Sequence, residues 1–322
     1  MSASCKKDSI SKGFSTFGAI MIKRLAISFS LAVLMSSQAV AADDWRKTYK
    51  SITFGIASGE NIQSGNLRWA PMGPYLAKCM GIEKVSMRVT NDYSGVIEAM
   101  VQGDVQLAWL GPAQYAIAHD LLKGDVQPIA MDMSKDGELG YKWVVVVKAN
   151  SPYKTIEDLK GKSMGWPTPT SASGYVLPMH YFREKGYVSA KNEPILFSRL
   201  VQTGSHDNSL VAVVNGTVDA ATNWYYSPTA GAHIRAASVG TIKLDDIRFI
   251  YESPRVPNAP FTTRKSYPEA MKAKMSECLI KMPENDKAAW DVVGKNIFGG
   301  IAPTQHEAYL DFISLRQAEK KK

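Results

Sequence analysis

Cysteine is scarce in this sequence: Cys5, Cys79 and Cys278 are the only three in 322 residues. None are spaced CxxC, and no His/Cys cluster has metal-ligand spacing, which argues against a structural zinc site and against a bound cofactor metal. A G-x-S-x-G elbow is absent, removing the commonest serine-hydrolase signature. The apolar run at residues 25–35 is too short to cross a bilayer as a helix. Internal repeats, low-complexity blocks and long linkers are also missing. Acidic charge is in deficit, with 30 acidic side chains against 38 basic and a formal net charge of +8. An excess of that size raises nucleic acid as a partner unless the charge is confined to a segment.

The charge is confined. Residues 21–41 read MIKRLAISFSLAVLMSSQAVA. Lys23 and Arg24 form a positive head, an apolar run follows, and Ala39-Val40-Ala41 puts small residues where a signal peptidase reads. These are the three parts of a secretory signal peptide. Residues 1–20 precede a second methionine, Met21, and are expected to be an upstream extension. Residues 1–41 carry Lys6, Lys7, Lys12, Lys23 and Arg24 against Asp8, and Lys320-Lys321-Lys322 form a solvated tail. The remainder is close to neutral, about +1, so nucleic acid is not expected as a partner. Export permits a Cys79–Cys278 bridge, but a sequence cannot supply the geometry a bridge needs.

The body reads as alternating strands and helices. Strands are expected at 51–57, 85–90, 105–110, 143–148, 162–166, 218–222 and 248–251. Helices are expected at 69–80, 95–102, 111–122, 173–186 and 208–215. After Pro260 the pattern reads as helical to the end, over 268–282, 286–296 and 304–318. Strand–helix–strand at short spacing predicts an α/β fold with parallel-rich sheets. The layout divides into two lobes joined by a two-strand hinge, 42–148 with 257–322 and 149–256, with crossings near 148–151 and 253–257. A cleft between such lobes surrounds a ligand with loops and helix N-termini.

Four polar loops open helices: Asn91-Asp92-Tyr93-Ser94, Gly111-Pro112-Ala113-Gln114-Tyr115, Thr168 to Gly174, and Thr203 to Asn208. Helix N-termini leave backbone N–H groups unpaired and carry partial positive charge, so they attract anions. Any one such loop is most often a plain cap; four that converge make an anion site, to which a protonated His206 would add charge. A hydrolase using Ser171 or Ser173 with His206 and Asp207 is disfavoured. Adjacent residues rarely place a carboxylate on the imidazole nitrogen that a triad needs.

Several short motifs, in this order and spacing, resemble one family. They are NDYSGVIEAM at 91–100, GDVQLAWLGP at 103–112, SASGYVLP at 171–178, GSHDN at 204–208 with VDAATN at 218–223, and SPRVPNAP at 253–260. Across residues 52–309 the chain resembles the periplasmic binding components of ABC importers for phosphonates and related reduced-phosphorus anions. The resemblance implies a two-lobed periplasmic binding protein, no enzymatic activity, no cofactor, a membrane permease as partner and a monomeric state.

It further implies that Tyr93, the cluster Ser171, Ala172 and Ser173, and His206 grip the anion, with Asn223 in the same set. Ala172 departs from the usual Thr. A second family Tyr falls on Leu110, and Tyr115 is expected to replace it. Aminoalkylphosphonate binders hold the ligand's ammonium with acidic residues, and those positions are Tyr226 and Asn258 here. Trp224, Tyr225 and Tyr226 are expected to wall off a small or apolar substituent instead. The expected ligand is a small phosphorus oxyanion or simple alkylphosphonate, such as phosphite or methylphosphonate. The alternative keeps the fold and binds a sulfonate, carboxylate or cofactor precursor.

Overall fold

The computed structural model describes residues 44–320 apart from 60, 61, 91 and 92. The expected signal peptide and upstream extension lie outside the described residues.

Strands β1 (Ser51–Ala57), β2 (Lys84–Thr90), β3 (Leu107–Trp109) and β4 (Gln127–Ser134) alternate with helices α1 (Ile62–Trp69), α2 (Met72–Met80), α3 (Tyr93–Gln102) and α4 (Pro112–Leu121). Next come β5 (Gly140–Lys148) and β6 (Ser163–Trp166), then a π-helical turn at Ala172–Val176 that runs into α5 (Leu177–Glu184). They are followed by β7 (Arg199–Gln202), α6 (His206–Val214), β8 (Ala220–Ser227), β9 (Ala230–Gly231), α7 (Ala232–Ser238), β10 (Ile247–Glu252) and β11 (Val256–Pro257). The chain closes with β12 (Pro260–Thr263), α8 (Glu269–Asn285), α9 (Lys287–Gly294), β13 (Phe298–Ala302) and α10 (Leu310–Glu319).

Two mixed sheets result. The first runs β13-β4-β12-β3-β1-β2 and the second β10-β5-β8-β6-β7. Pairing is parallel where strand, helix and strand alternate: β1 with β2 and β3, and β6 with β7 and β8. It is antiparallel where the chain passes between sheets, as β5 does with β8 and β10, and β12 with β3 and β4. The passage from first sheet to second comes between Ser134 and Gly140, earlier than the 148–151 expected. The run at 143–148 reads as the end of the first unit, but it pairs inside the second.

Burial explains β5. Trp143, Val145 and Val147 enter one core cluster, while Val144 and Val146 enter another on the opposite face. A strand covered on both faces is uniformly apolar, as this one is. The first sheet is likewise covered twice, by α2, α8 and α9 on one side and α3, α4 and α10 on the other.

Strands β12 and β13 contradict a helical end after Pro260. Pro-Phe-Thr-Thr is short and Phe-Gly-Gly-Ile-Ala holds two glycines, so both lack the β-branched run that marks a strand. Tertiary pairing with β4 forms them. Pro71 splits the expected helix at 69–80, as a ring without an N–H must. Cys79 and Cys278 form a disulfide, Cα–Cα 5.9 Å, that ties α2 to α8.

Candidate functional site

The loop after β6 builds the first wall of the site. Ser171 has extended backbone and its Oγ accepts from the Gly174 N–H at 3.1 Å, a capping bond. The turn is wide, with the Val176 N–H donating to the Ser171 carbonyl at 2.9 Å. Gly174 is required sterically, because a Cβ there would lie 2.1 Å from Pro167 Cγ. The cap uses the Gly174 amide, and the earlier amides of the same turn, Ala172 and Ser173, are the ones a helix start leaves for an outside acceptor. π-Helical turns of this kind recur at functional sites. Ala172 packs its methyl group into the core between α3, α4 and α10, so only its N–H can serve a ligand.

The second wall is the start of α6, and it differs from the sequence expectation. Ser205 caps it, accepting from the Asn208 N–H at 3.0 Å, and the His206 N–H donates to the Gly59 carbonyl at 3.1 Å. These amides are already used, so His206 contributes its ring and not a backbone cradle. Its Nδ1 lies 2.7 Å from Asn223 Oδ1 and its Nε2 lies 3.1 Å from Ser171 Oγ. Burial and the nearby Arg235 guanidinium hold its pKa down, to about 3, against smaller raising effects from Asn223 and Asp207. The ring is therefore neutral at physiological pH, so His206 does not add the charge that its protonated form would bring. Asp207 pairs with Arg235 at 2.8 Å, so no carboxylate orients the imidazole as a hydrolase triad requires.

Strand β8 supplies the opposite end. Alternation along a strand sends neighbouring side chains to opposite faces. Trp224 and Tyr226 accordingly face the cavity, while Tyr225 turns into the second sheet's core against Phe249 and His233. The expected three-ring wall is thus made of two of the three, completed by Trp109 and Phe298 from the first sheet. Tyr226 donates its hydroxyl to Asp132 Oδ2, and Trp109 Nε1 donates to Asp132 Oδ1 at 2.9 Å. Burial pushes the Asp132 carboxyl up to about 6, the two hydrogen bonds and the Arg68 guanidinium opposing it. Arg68 lines the same end, its Nε donating to the Val293 carbonyl at 2.6 Å and its guanidinium lying 4.8 Å from the Phe298 ring.

One cavity, with about 600 Å³ of empty space including its open mouth, collects these groups. Tyr93, Ser171, Ala172, Ser173, His206 and Tyr226 line it, all expected from the sequence. Asn223 stands behind His206, 1% exposed, and acts through it. Two expected residues are elsewhere. Tyr115 is fully buried on the far side of α4, with its hydroxyl 2.7 Å from His306 Nδ1 and its ring 5.0 Å from Tyr309, so it does not replace the missing tyrosine. Its neighbour Gln114 lines the cavity instead, because consecutive residues on a helix face different ways. Asn258 donates to the carbonyls of Asp132 and Glu138, at 2.8 and 2.9 Å, which makes it a bracket at the passage between sheets; Ala259 takes the lining position.

Arg68, Arg235, Tyr141 and Ser58 line the cavity without having been singled out. Nothing in the sequence singles out Arg68 or Arg235. Only their burial, 1% and 3% exposed, marks them. Among the described lining residues there is no carboxylate.

Residues 54–309 match the family model described as ABC transporter, phosphonate, periplasmic substrate-binding protein. The chain is 30% identical over 296 residues to the phosphonates-binding periplasmic protein of Escherichia coli (strain K12), covering 90% of this chain and 80% of that one. A binding protein component of an ABC phosphonate transporter from Pseudomonas aeruginosa superposes with a TM-score of 0.70 at 24% identity, covering 84% of this chain and 87% of the other. PhnD1 from Prochlorococcus marinus, solved in complex with methylphosphonate, superposes with a TM-score of 0.67 at 16% identity, over 85% and 99% of the two chains.

Proposed function

Because the chain belongs to the family of periplasmic substrate-binding proteins of phosphonate ABC transporters, we propose that its cavity captures a small phosphorus oxyanion or simple alkylphosphonate for import. Its compartment is the periplasm, its partners are a small-molecule ligand and a transporter permease, and it is a binding protein and not an enzyme. The observation that carries the ligand reading is convergence. Tyr93 from α3, the Ser171–Ser173 turn from the second sheet's loop and His206 from α6 meet in one cavity. Fixed hydroxyls and amides replace the anion's water shell there at little reorganisation cost.

The two sheets act as two lobes that close on the anion, with residues 135–139 and 253–259 as the hinge. The mouth is already drawn together by Gly59 of the first lobe, whose carbonyl accepts from the His206 N–H and, at 3.5 Å, from Arg235 Nη2 of the second. Aromatic rings at the other end leave room for hydrogen, hydroxyl or methyl on phosphorus, and none of the described lining residues is a carboxylate that would pair an ammonium. Residues 21–41 act as the exported protein's cleaved signal peptide, and residues 1–20 are an upstream extension. The mature protein acts as a monomer, and nucleic acid is not a partner.

Titration calorimetry with phosphite, methylphosphonate and phosphate tests the reading, with methanesulfonate as the competing class. Ser171→Ala should weaken the best phosphorus ligand by about 1–3 kcal/mol, since a hydrogen bond to a charged group is lost. Binding of methanesulfonate alone would overturn the ligand class.

A further inference from the structure

The imidazole of His206 presents the cavity with a lone pair where an anion site calls for a donor. Three bonds fix this. The Trp224 N–H donates to Asn223 Oδ1 at 3.0 Å, and Asn223 Nδ2 donates to the His206 carbonyl at 3.0 Å. A flipped amide would set donor against donor and acceptor against acceptor, so both backbone groups hold Asn223 one way round. Its Oδ1 therefore faces His206 Nδ1 at 2.7 Å, and Nδ1 carries the ring's proton. Nε2 is left as an acceptor, and Ser171 Oγ at 3.1 Å donates to it. The other groups facing the ring do not turn it into a cation. Arg235 of α7 opposes a second positive charge, Asp207 of α6 is engaged with Arg235, and the Tyr93 hydroxyl of α3 lies beside Gly59.

With the Ser171 hydroxyl turned from Nε2 to the ligand, a bare tetrahedral dianion would set an oxygen lone pair against the vacated Nε2 lone pair in a buried place, a contact with no compensating bond. One proton removes the conflict. We infer that the site binds its oxyanion together with one proton, shared between an anion oxygen and His206 Nε2, and so selects the singly protonated form of the ligand. This rests on the phosphorus-oxyanion reading above. Atoms balance simply: neutral imidazole, dianion and one proton from solvent give the complex, or the hydrogen anion enters whole. Asn223 is then a specificity-determining residue that never touches the ligand, because it sets which ring nitrogen is free.

Phosphoryl groups lose their second proton near neutral pH, about 6 for phosphorylated side chains, so proton uptake is measurable above it. The experiment is calorimetry of the wild-type protein with methylphosphonate at pH 9, in two buffers of different ionisation heat. The expected result is uptake of about one proton per ligand, with Kd rising about tenfold per pH unit between pH 8 and 9.5. His206→Gln places an amide N–H where the shared proton was and should bind with no uptake and a flat pH profile. Wild-type binding at pH 9 with no uptake and a pH-independent Kd would overturn the proposal while leaving the function intact. Uptake that persists in His206→Gln would overturn the assignment to His206. Failure of methylphosphonate and phosphite to bind at any pH would overturn the ligand reading, and the proton with it.

Discussion

Replacing Gly59 by alanine separates the strength of the fold from the closure of the site. Gly59 has φ +60°, and a Cβ built on it would sit 2.2 Å from Tyr93 Oη and 3.0 Å from His206 Cδ2. Two costs follow, and they fall on different equilibria. Left-handed backbone costs an alanine about 1–2 kcal/mol. That strain is present whether the lobes are open or closed, so it lowers the melting temperature. The collision with Tyr93, also of the first lobe, adds to that strain in both forms, whereas the one with His206 exists only where the second lobe has closed on Gly59. Relieving it shifts the Gly59 carbonyl away from the His206 N–H and the Arg235 guanidinium, at about 0.5–1.5 kcal/mol for a neutral bond and 1.5–3 for a charged one. The closed form then loses about 2–4 kcal/mol relative to the open form, which is roughly 30- to 1,000-fold in affinity at 1.4 kcal/mol per tenfold. Gly186→Ala is the control: its φ is +70° and nothing lies within 4 Å of the added carbon. Calorimetry with methylphosphonate and thermal unfolding on both variants make the comparison. The control should lose melting temperature and keep its affinity, while Gly59→Ala loses both. Equal affinity in the two variants would refute closure around Gly59.

Three further outcomes follow from the same geometry. His206 is held well below its ordinary pKa, to about 3, so it stabilises the fold fully above pH 6.5 and that stability is lost as pH falls towards 3. Asp132 is raised to about 6, so its contribution is present below about pH 4 and is lost as pH rises through 6; the two oppose each other between pH 4 and 6. Asp132→Asn should therefore uncover a loss of about 1.4 kcal/mol per pH unit on acidification, measured by urea unfolding, and a slope equal to wild type would count against the opposed pair. The Cys79–Cys278 bridge closes a sequence separation of 199 residues, so the double serine variant should lose about 2–5 kcal/mol in the same assay, and an unchanged midpoint would deny it a role. Lastly, 2-aminoethylphosphonate should bind at least tenfold more weakly than methylphosphonate, by roughly 1.4 kcal/mol or more, because its ammonium meets Arg68 and aromatic rings with no carboxylate among the described lining residues. Equal affinities would refute that reading of the cavity.

Local pattern carried much of this protein's outline. The apolar run from Trp143 to Lys148 announced a doubly covered strand, and β5 packs side chains into a core on each face. Polar loops ahead of helices marked Tyr93, the Ser171–Ser173 turn and His206, because a helix start always needs partners for its amides. Those signals are local, so a sequence displays them. Strands β12 and β13 could not be read that way: neither has a pattern of its own, and pairing with β4 makes them strands.

The site's chemistry needed the third dimension. Asp207 directly follows His206 in sequence, yet it turns to Arg235, while Asn223, 17 residues along the chain, fixes the ring's orientation and burial keeps it neutral. Tyr115 and Gln114 are adjacent in sequence, and one step around α4 sends the first into the core and the second into the cavity. Arg68 and Arg235 carry no signal in the sequence, and only their burial at the cavity marks them. Residue types and helix starts are properties of short stretches, so order along the chain reveals which groups can bind an anion. Protonation, tautomer and orientation depend on what distant segments bring within about 3 Å, and the packing of the two sheets decided those.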